Sequence, residues 1–553
     1  MDGDLEDGEP GAGQTGGCRM SFHDRAIDRI NVSGERIFLV DAFTGREVTY
    51  AEFHSQACAV AAYLQGTGIG RGDRVATVVP NCSELATVYF ACLYLGATIV
   101  PVNPNLSAPE AQYILSNCRP KCTVVNSTAR HKFGDAVAGS SLLSTAQDSI
   151  ASGAEPCIDL NRLTTSSAFV PPRDLSDDDL ALIVYTSGTT AKPKGLAHFA
   201  GRMVRNAEAF AEAQTLDSDC RFYLTLSMAY MGGILNLLLL PFLTGGSVVI
   251  DHVFDARSSL TFWETARKFQ INSLWIAPTV LSILLKMDRG HQGEDYCRSS
   301  IKKTFVGFAP LPAKVKSDFE ARYGVRLIEN YGLSETLFVT ARPNSSADSS
   351  NQAQGYVGES LPGIRLRVCA GNGSVVASGE EGEIEVLTPD LMAGYLSERG
   401  DLTTVDARTW FPTGDYGCLS AAGSLSVTGR KKDVIIRGGI NISPAAIEEV
   451  LLHAPGVVDA AVVSVPHEIY GEDIVAVVKL DPDTSLDSVL ESTMARCKQA
   501  LAAHQQPSRY IAIDEFPRTS NGKIQKVRLR ELVWEKLQIS SPVQPEAAAS
   551  LAK

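Results

Sequence analysis

The sequence predicts an α/β protein of more than one domain, and three observations carry that prediction. At 553 residues the chain is longer than one hydrophobic core normally holds. From Val48 onward, segments of helical period alternate with apolar runs of strand length, the pattern of a parallel sheet with helices over its faces. Beyond Gly355 the texture changes to short alternating strands between glycine turns, a small β-subdomain. After the charged, glycine-bounded break Gly429-Arg-Lys-Lys-Asp433 it changes again, to a compact α+β unit.

Taken in order, residues Met1 to Gly17 are acidic and glycine-rich with nothing to bury, so 1–19 is expected to be a disordered tail. Tyr50 to Gln65 is helical, with Phe53, Ala57, Val60, Ala61 and Leu64 on one face. Arg74–Val79 is a strand, Glu84–Leu95 a helix, Thr98–Val102 a strand, Ala108–Leu115 a helix and Cys122–Val125 a strand. The glycines of Gly66-Thr-Gly-Ile-Gly-Arg-Gly72 imitate a dinucleotide fingerprint, but they follow a helix and precede a strand, the reverse of what a pyrophosphate site needs. Gly139 to Asp177 is a variable Ser/Ala/Asp-rich connection.

The strand run Leu180–Val184 leads into Tyr185-Thr-Ser-Gly-Thr-Thr-Ala-Lys-Pro-Lys-Gly195. Next come a helix at Ala200–Ala213, a strand at Phe222–Leu226 and a buried helix at Gly232–Leu243. Strands at Ser247–Ile250, Ser273–Ile276, Lys303–Val306 and Arg326–Glu329 continue the alternation. The β-subdomain holds Arg365–Val368, Gly382–Val386 and Leu425–Val427. The last unit holds the segments Pro444–Leu452, Val457–Val465 and Asp473–Lys479, then the helix Val489–Ala502. Domains are accordingly expected at 20–429 and 434–540, with a hinge at 430–433 and a loose end at 541–553.

Composition narrows the function classes. A net charge of −13 argues against nucleic acid or an anionic membrane as the main partner. The most apolar stretch, Ile234–Leu243, is broken by Asn236 and Pro241 and is too short to span a bilayer. The twelve cysteines share no repeated spacing, and the lone pair Cys118 and Cys122 has no second pair to complete a zinc site. Reduced cysteines without a signal peptide point to the cytoplasm. Monomer and homodimer both fit.

The stretch Tyr185–Gly195 carries the chemistry. Thr186, Ser187, Thr189 and Thr190 supply hydroxyl donors, Gly188 lets backbone N–H groups approach closely, and Lys194 adds charge, which together suit a row of phosphates. It is not a Walker A loop, because Pro193 precedes Lys194 and Gly195 follows it. With motifs downstream in fixed order, the chain resembles the adenylate-forming superfamily, which includes acyl- and aryl-CoA synthetases. The loop is similar to the family's Thr-Ser-Gly-Thr-Thr-Gly-x-Pro-Lys-Gly. Gly307-Phe308-Ala309 matches the adenine-pocket wall, and Asn330-Tyr-Gly-Leu-Ser-Glu-Thr336 matches Tyr-Gly-x-Thr-Glu. Thr413-Gly-Asp415, the Arg430–Asp433 break with Ile436-Arg-Gly-Gly439, and Pro517-Arg-Thr-Ser-Asn-Gly-Lys523 complete the set. The resemblance spans roughly Val48 to Leu532.

The resemblance implies a large N-terminal domain of stacked α/β sheets with the small β-subdomain, and a mobile α+β C-terminal domain on a hinge at Lys432 and Asp433. It implies ATP, released as AMP, with Thr186 to Thr190, Lys194, Gly307, Phe308, Ala309, Asn330, Tyr331, Gly332, Ser334, Asp415 and Arg430 around the nucleotide. Glu335 would hold Mg2+, Lys523 and Lys194 would serve the acid–phosphate step, and Arg437, Gly438 and Gly439 would line the coenzyme A channel. An acyl pocket of Tyr230, Met231, Gly232, Gly307 and Gly332 follows from the same alignment of motifs. The implied reaction joins a carboxylic acid to coenzyme A by way of an acyl-adenylate.

Four departures accompany it. Ala191 replaces a loop glycine, and a Cβ at a left-handed position would cost about 1 kcal/mol. Ser334 replaces the usual Thr. Ser227-Met-Ala-Tyr-Met-Gly-Gly233 replaces a Pro-x-Phe-His stretch, and His198 stands slightly early for the His that follows the family's loop. No acidic residue lies between Cys220 and Asp251, which disfavours α-amino acids, since their ammonium would be buried unpaired. Small residues at 229, 232, 233, 307 and 332 suggest room for a bulky aryl, alicyclic or fatty acid, although helix packing explains glycines equally well. A chain without a carrier domain serves coenzyme A in preference to a tethered thiol. Two further readings stand: an enzyme mainly thioesterifying a preformed adenylate, and a non-catalytic nucleotide- or acyl-binding protein.

Overall fold

A computed structural model describes residues 21–145, 157–160, 163, 169–186, 193–288, 290–343, 355–482, 484–518 and 524–538. The expected tails at 1–19 and 541–553 lie outside these residues, as do Ser187, Gly188, Thr189, Thr190, Ala191 and Lys523.

The large domain stacks two sheets. One has thirteen strands. Its parallel half runs Leu327–Leu333, Lys303–Val306, Ser273–Ile276, Arg221–Leu224, Ser247–Ile250 and Ile37–Asp41, with Glu47–Thr49 antiparallel at the edge. From Leu327–Leu333 it continues antiparallel through Leu337–Ala341, Tyr356–Ser360, Ser424–Arg430, Phe411–Leu419 and Glu381–Leu387 to Arg365–Cys369. This second half contains the β-subdomain strands. The other sheet has nine strands, with Leu180–Thr186 parallel to Thr98–Pro101 and antiparallel to Lys194–Phe199.

The main core lies between the two sheets, where Phe53, Val60, Leu64, Phe90, Phe210 and Phe242 are essentially inaccessible. Burying each such side chain favours folding by about 1.5–3 kcal/mol. The helix Tyr50–Gly66 buries the face read from its period, and Thr49 and Glu52 close its N-terminus as a capping box. Helices Pro278–Met287 and Ala313–Tyr323 cover the outer face of the thirteen-stranded sheet. Helices Ala108–Cys118 and Ser127–Phe133 cover that of the nine-stranded one. The smaller C-terminal domain is a five-stranded sheet centred on Val457–His467 and Gly471–Leu480, with Ile447 and Leu451 packed on one face and Leu529 and Val533 on the other.

The predicted helix Ala200–Ala213 and strand Cys122–Val125 are found with those bounds, and the segment Pro444–Leu452 is a helix. Gly232–Leu243 is helical but not a simple α-helix. It winds with i→i+5 bonding over Gly232–Leu239 and becomes α-helical at Leu240–Thr244. Pro241 sits at the junction, where its missing N–H interrupts the α-helical ladder. Lys194 and Gly195, read as loop, begin a strand because Thr186 pairs with Lys194 and Tyr185 with Gly195. The helix Phe22–Ser33 and the short strands Ile37–Asp41 and Glu47–Thr49 were not legible, since all three lie before the regular alternation starts.

Candidate active site

The two sheets meet where the Leu180–Phe199 hairpin touches the turn after strand Leu327–Leu333. The turn's Glu335 carbonyl accepts from Met392 N–H at 2.8 Å, and Ala393 N–H donates to the Ala197 carbonyl at 2.7 Å. Fully buried His198 lies 2.6 Å by Nε2 from the Ser334 carbonyl. A carbonyl can only accept, so Nε2 carries the hydrogen and Nδ1 is the bare nitrogen. Burial pushes the imidazole pKa down to about 4, keeping it neutral near pH 7. Strand Gly394–Leu396 adds Tyr395, whose hydroxyl donates to Glu335 Oε1 at 3.1 Å. Burial, and then the Glu335 charge, raise the Tyr395 phenol, so it remains a donor. The turn bearing Glu335 is thus held by its main chain and by its side chain.

Three residues far apart in sequence form a second cluster. The Tyr331 hydroxyl donates to Asp415 Oδ2 at 2.8 Å, and Arg430 Nε lies 3.0 Å from Asp415 Oδ1. Register places Asp415 directly opposite Arg430 on neighbouring strands. Thr413 Oγ1 accepts from the Asp415 N–H at 3.1 Å and donates to the Ile384 carbonyl at 2.7 Å. Burial first, and the Asp415 carboxylate second, push the Tyr331 phenol well above its usual range. Asp415 is 3% exposed and Arg430 is exposed, so the ion pair runs from a fixed, buried carboxylate to a guanidinium at the surface.

Gly307, Phe308 and Ala309 follow strand Lys303–Val306, and Asn330 Nδ2 donates to the Val306 carbonyl at 3.1 Å. A Cβ on Gly307 would lie 3.1 Å from Asn330 Oδ1, so a side chain there would crowd this contact. Phe308 adopts a positive φ of 72°, uncommon for a residue with a Cβ. Its ring lies across Gly232, where a Cβ would come within 2.6 Å of Phe308 Cε1. A Cβ on Gly233 would meet the Ser227 carbonyl oxygen at 2.3 Å, and one on Gly332 the Leu337 carbonyl oxygen at 2.1 Å. These three glycines are therefore explained by packing, and they do not by themselves open space for a ligand. Beside them, Asn103 Nδ2 donates to the Tyr230 hydroxyl at 3.1 Å, and Tyr230 and Met231 are half-buried.

The predicted hinge and channel residues lie elsewhere. Lys431–Asp433 is one short turn, tied by Lys431 Nζ to Glu383 Oε2 at 2.6 Å. Arg437 belongs to the C-terminal domain's own packing, pairing with Asp473 Oδ1 at 3.1 Å and donating to the His504 carbonyl at 3.0 Å. Gly438 and Gly439 have φ of 60° and 83° and turn the hairpin Ile435–Ile442. A Cβ on Gly438 would meet only Tyr470 Cδ1, at 3.6 Å, and one on Gly439 would meet nothing within 4 Å.

The structure therefore gathers Tyr331, Asp415 and Arg430, and it gathers Ser334 and Glu335 with His198 and Tyr395, while Thr186 and Lys194 pair with each other at the end of their hairpin. Ser187, Gly188, Thr189, Thr190 and Lys523 fall outside the described residues. Sequence reading missed Tyr395. The Gly394-Tyr395 pair inside a turn-rich stretch was its only local signal.

Comparison with known proteins gives this geometry its context. The family model described as AMP-binding enzyme matches residues 27–396, and that described as AMP-binding enzyme C-terminal domain matches 446–523. An indoleacetate–CoA ligase of Aromatoleum aromaticum is 32% identical over 501 residues, covering 89% of this chain and 95% of its own. Crystal structures of MatB from Rhodopseudomonas palustris, 26% identical, cover 93% of this chain and 98% of theirs. The TM-score is 0.81 for the ATP-bound form and 0.72 for the apo form. Among the described residues, no helix is long and apolar enough to cross a membrane. With both family models matched in order and across most of its length, the chain belongs to the AMP-binding enzymes of the adenylate-forming superfamily, on its acyl- and aryl-CoA synthetase branch.

Proposed function

We propose that this chain activates a carboxylic acid with ATP and passes the acyl group to coenzyme A. The observation that carries the reading is the Tyr331–Asp415–Arg430 cluster, three motif residues brought into one hydrogen-bonded corner. Asp415 has its base fixed by Tyr331 and Thr413, and a carboxylate so held can accept from the paired hydroxyls of a ribose. The Tyr331 ring and the Gly307–Ala309 wall would bracket the adenine.

The carboxylate oxygen of the acid forms a bond to the α-phosphorus while the bond to pyrophosphate breaks. Two anions must approach, so positive charge has to be supplied. Lys194, exposed at the hairpin base, would neutralise the β- and γ-phosphates, and Lys523 would sit between the carboxylate and the α-phosphate. Glu335 offers the hard oxygen donor that suits Mg2+, and Tyr395 fixes its orientation. When bound, that ion offsets triphosphate charge. In the second step the coenzyme A sulfur bonds to the acyl carbon, AMP leaves, and the thiol proton goes to solvent. Turning about 430–433 would exchange the Lys523 segment for the Gly438–Gly439 hairpin, whose turn offers a pantetheine arm clearance. The large unit 20–429 and the mobile unit 434–540 are the bodies proposed to move.

For the acid we propose an aryl or other bulky apolar class. Support comes from the aromatic faces of Phe308 and Tyr230 at the pocket wall and from the indoleacetate–CoA ligase relative. The test is AMP release and ATP–pyrophosphate exchange with aryl, alicyclic, fatty and small charged acids, for wild type and Lys523→Ala together. Exchange should occur with aryl acids and fall at least 100-fold in Lys523→Ala, while transfer from a supplied acyl-adenylate changes little. No exchange by wild type with any acid would sink the ligase reading.

A further inference from the structure

The C-terminal domain touches the large domain at the start of helix Ala313–Tyr323. That helix follows the Gly307–Ala309 wall after three residues, and its N-cap position is Pro312, which has no side-chain acceptor to offer. The acceptor comes from the other domain. Glu449, on helix Pro444–Leu452, takes the Ala313 N–H on Oε2 at 3.2 Å. Its Oε1 is buried without a hydrogen bond, with His453 Nδ1 3.6 Å away and itself 2.8 Å from the Glu449 carbonyl. A weaker electrostatic influence crosses the same boundary. Lys286, exposed in the last turn of helix Pro278–Met287, has its pKa lowered by desolvation, against which the carboxylates of Asp481 and Asp459 across the boundary act. Asp459 in turn pairs with Arg518.

Two observations say which arrangement these contacts hold. Among the described residues, a Cβ on Gly438 would meet only Tyr470 and one on Gly439 nothing within 4 Å, so no described residue of the large domain stands against these two positions. The chain also overlays ATP-bound MatB better than apo MatB over the same share of its length.

Building on the two-step reading above, we propose that Glu449 is a positioning residue for the acid–ATP step. By capping helix Ala313–Tyr323 across the domain boundary, it favours the orientation seen here over the one that presents the Gly438–Gly439 hairpin. The cap lies three residues beyond the adenine wall, so the same bond steadies the segment that carries it.

The test uses full-length Glu449→Ala and Glu449→Gln. Hydrogen–deuterium exchange of the segment 311–316 reads the contact, and pyrophosphate exchange set against transfer from a supplied acyl-adenylate reads its use. E449A should speed amide exchange at 311–316 and slow pyrophosphate exchange roughly fivefold, the size of a lost helix cap, with transfer unchanged or faster. E449Q keeps an accepting oxygen and should lie close to wild type in both. Unchanged deuterium exchange in E449A would overturn the contact, however the wild type behaves as an enzyme. An equal fall in both half-reactions would overturn the positioning role. Absence of pyrophosphate exchange in the wild type would instead strike the ligase reading itself.

Discussion

The Tyr331–Asp415–Arg430 corner and the Gly438–Gly439 hairpin are both built from family motifs, yet they are opposite in construction. In the corner, each named polar group has a partner in the same sheet, Arg430 on the strand next to Asp415 and Tyr331 three strands further round, and Tyr331 and Asp415 are nearly inaccessible. In the hairpin, Ile436 is 53% and Ile440 46% exposed, and the two glycines have open space where side chains would go. A group that must accept hydrogen bonds from a ligand gains from being fixed beforehand, because the ordering cost is met during folding. A turn proposed to let a long thiol arm pass gains only from being narrow.

The largest effect expected from that contrast is in the corner. Asp415→Ala removes the acceptor for Tyr331 and the partner of Arg430, and should weaken ATP binding by roughly 100-fold, as expected for two charge-assisted bonds. Titration calorimetry with ATP checks it, and an affinity within twofold of wild type would break the comparison. A smaller effect is expected in the hairpin. Gly438→Val places a branched side chain at a φ of 60°, which costs about 1–2 kcal/mol of local strain. Thioester transfer should slow roughly tenfold with pyrophosphate exchange preserved. If both half-reactions fell together, the hairpin would belong to the same pre-built site as the corner.

The smallest effect concerns His198, which ties the hairpin strand to the Glu335 turn. Its pKa is pushed down to about 4, so between pH 4 and 6.5 the unfolded chain binds more protons than the folded one. Stability from this residue is complete above pH 6.5 and declines as pH falls towards 4, by about 1 kcal/mol per unit at the steepest. His54, half-buried and also pushed down to about 4, acts in the same window. Urea melts at pH 7 and 5 on wild type and His198→Leu separate the two. The variant should show the shallower dependence, and an identical slope would mean His198 is not protonated on unfolding.

What could be read from the sequence divides along the same physical line. The alternation between Tyr50 and Leu333 was legible because buried faces leave a period, as Phe53, Ala57, Val60 and Leu64 do. Tyr331, Asp415 and Glu335 were legible because each stands in a short motif with fixed neighbours. That Tyr331 would bond Asp415 was not, because nothing local encodes a contact made across the sheet. Tyr395 was missed for the same reason: its partner Glu335 lies 60 residues away. The glycines at 232, 233 and 332 read equally as pocket space or as packing, and each makes way for a named neighbour, the Phe308 ring, the Ser227 carbonyl and the Leu337 carbonyl.

One bond has a consequence beyond the site it shapes. Tyr331 and Asp415 are 84 residues apart, and three strands of the same sheet lie between theirs. The bond can form only after those strands have paired and the sheet has curled back on itself. Nucleotide affinity is then a late reporter of folding, absent from any intermediate in which the antiparallel half is still open. By linkage, ATP at a hundredfold excess over its dissociation constant would deepen the native state by about 2.7 kcal/mol. A lesion anywhere in strands 337–341, 356–360 or 424–430 should therefore surface first as lost nucleotide protection, before any loss of the parallel core.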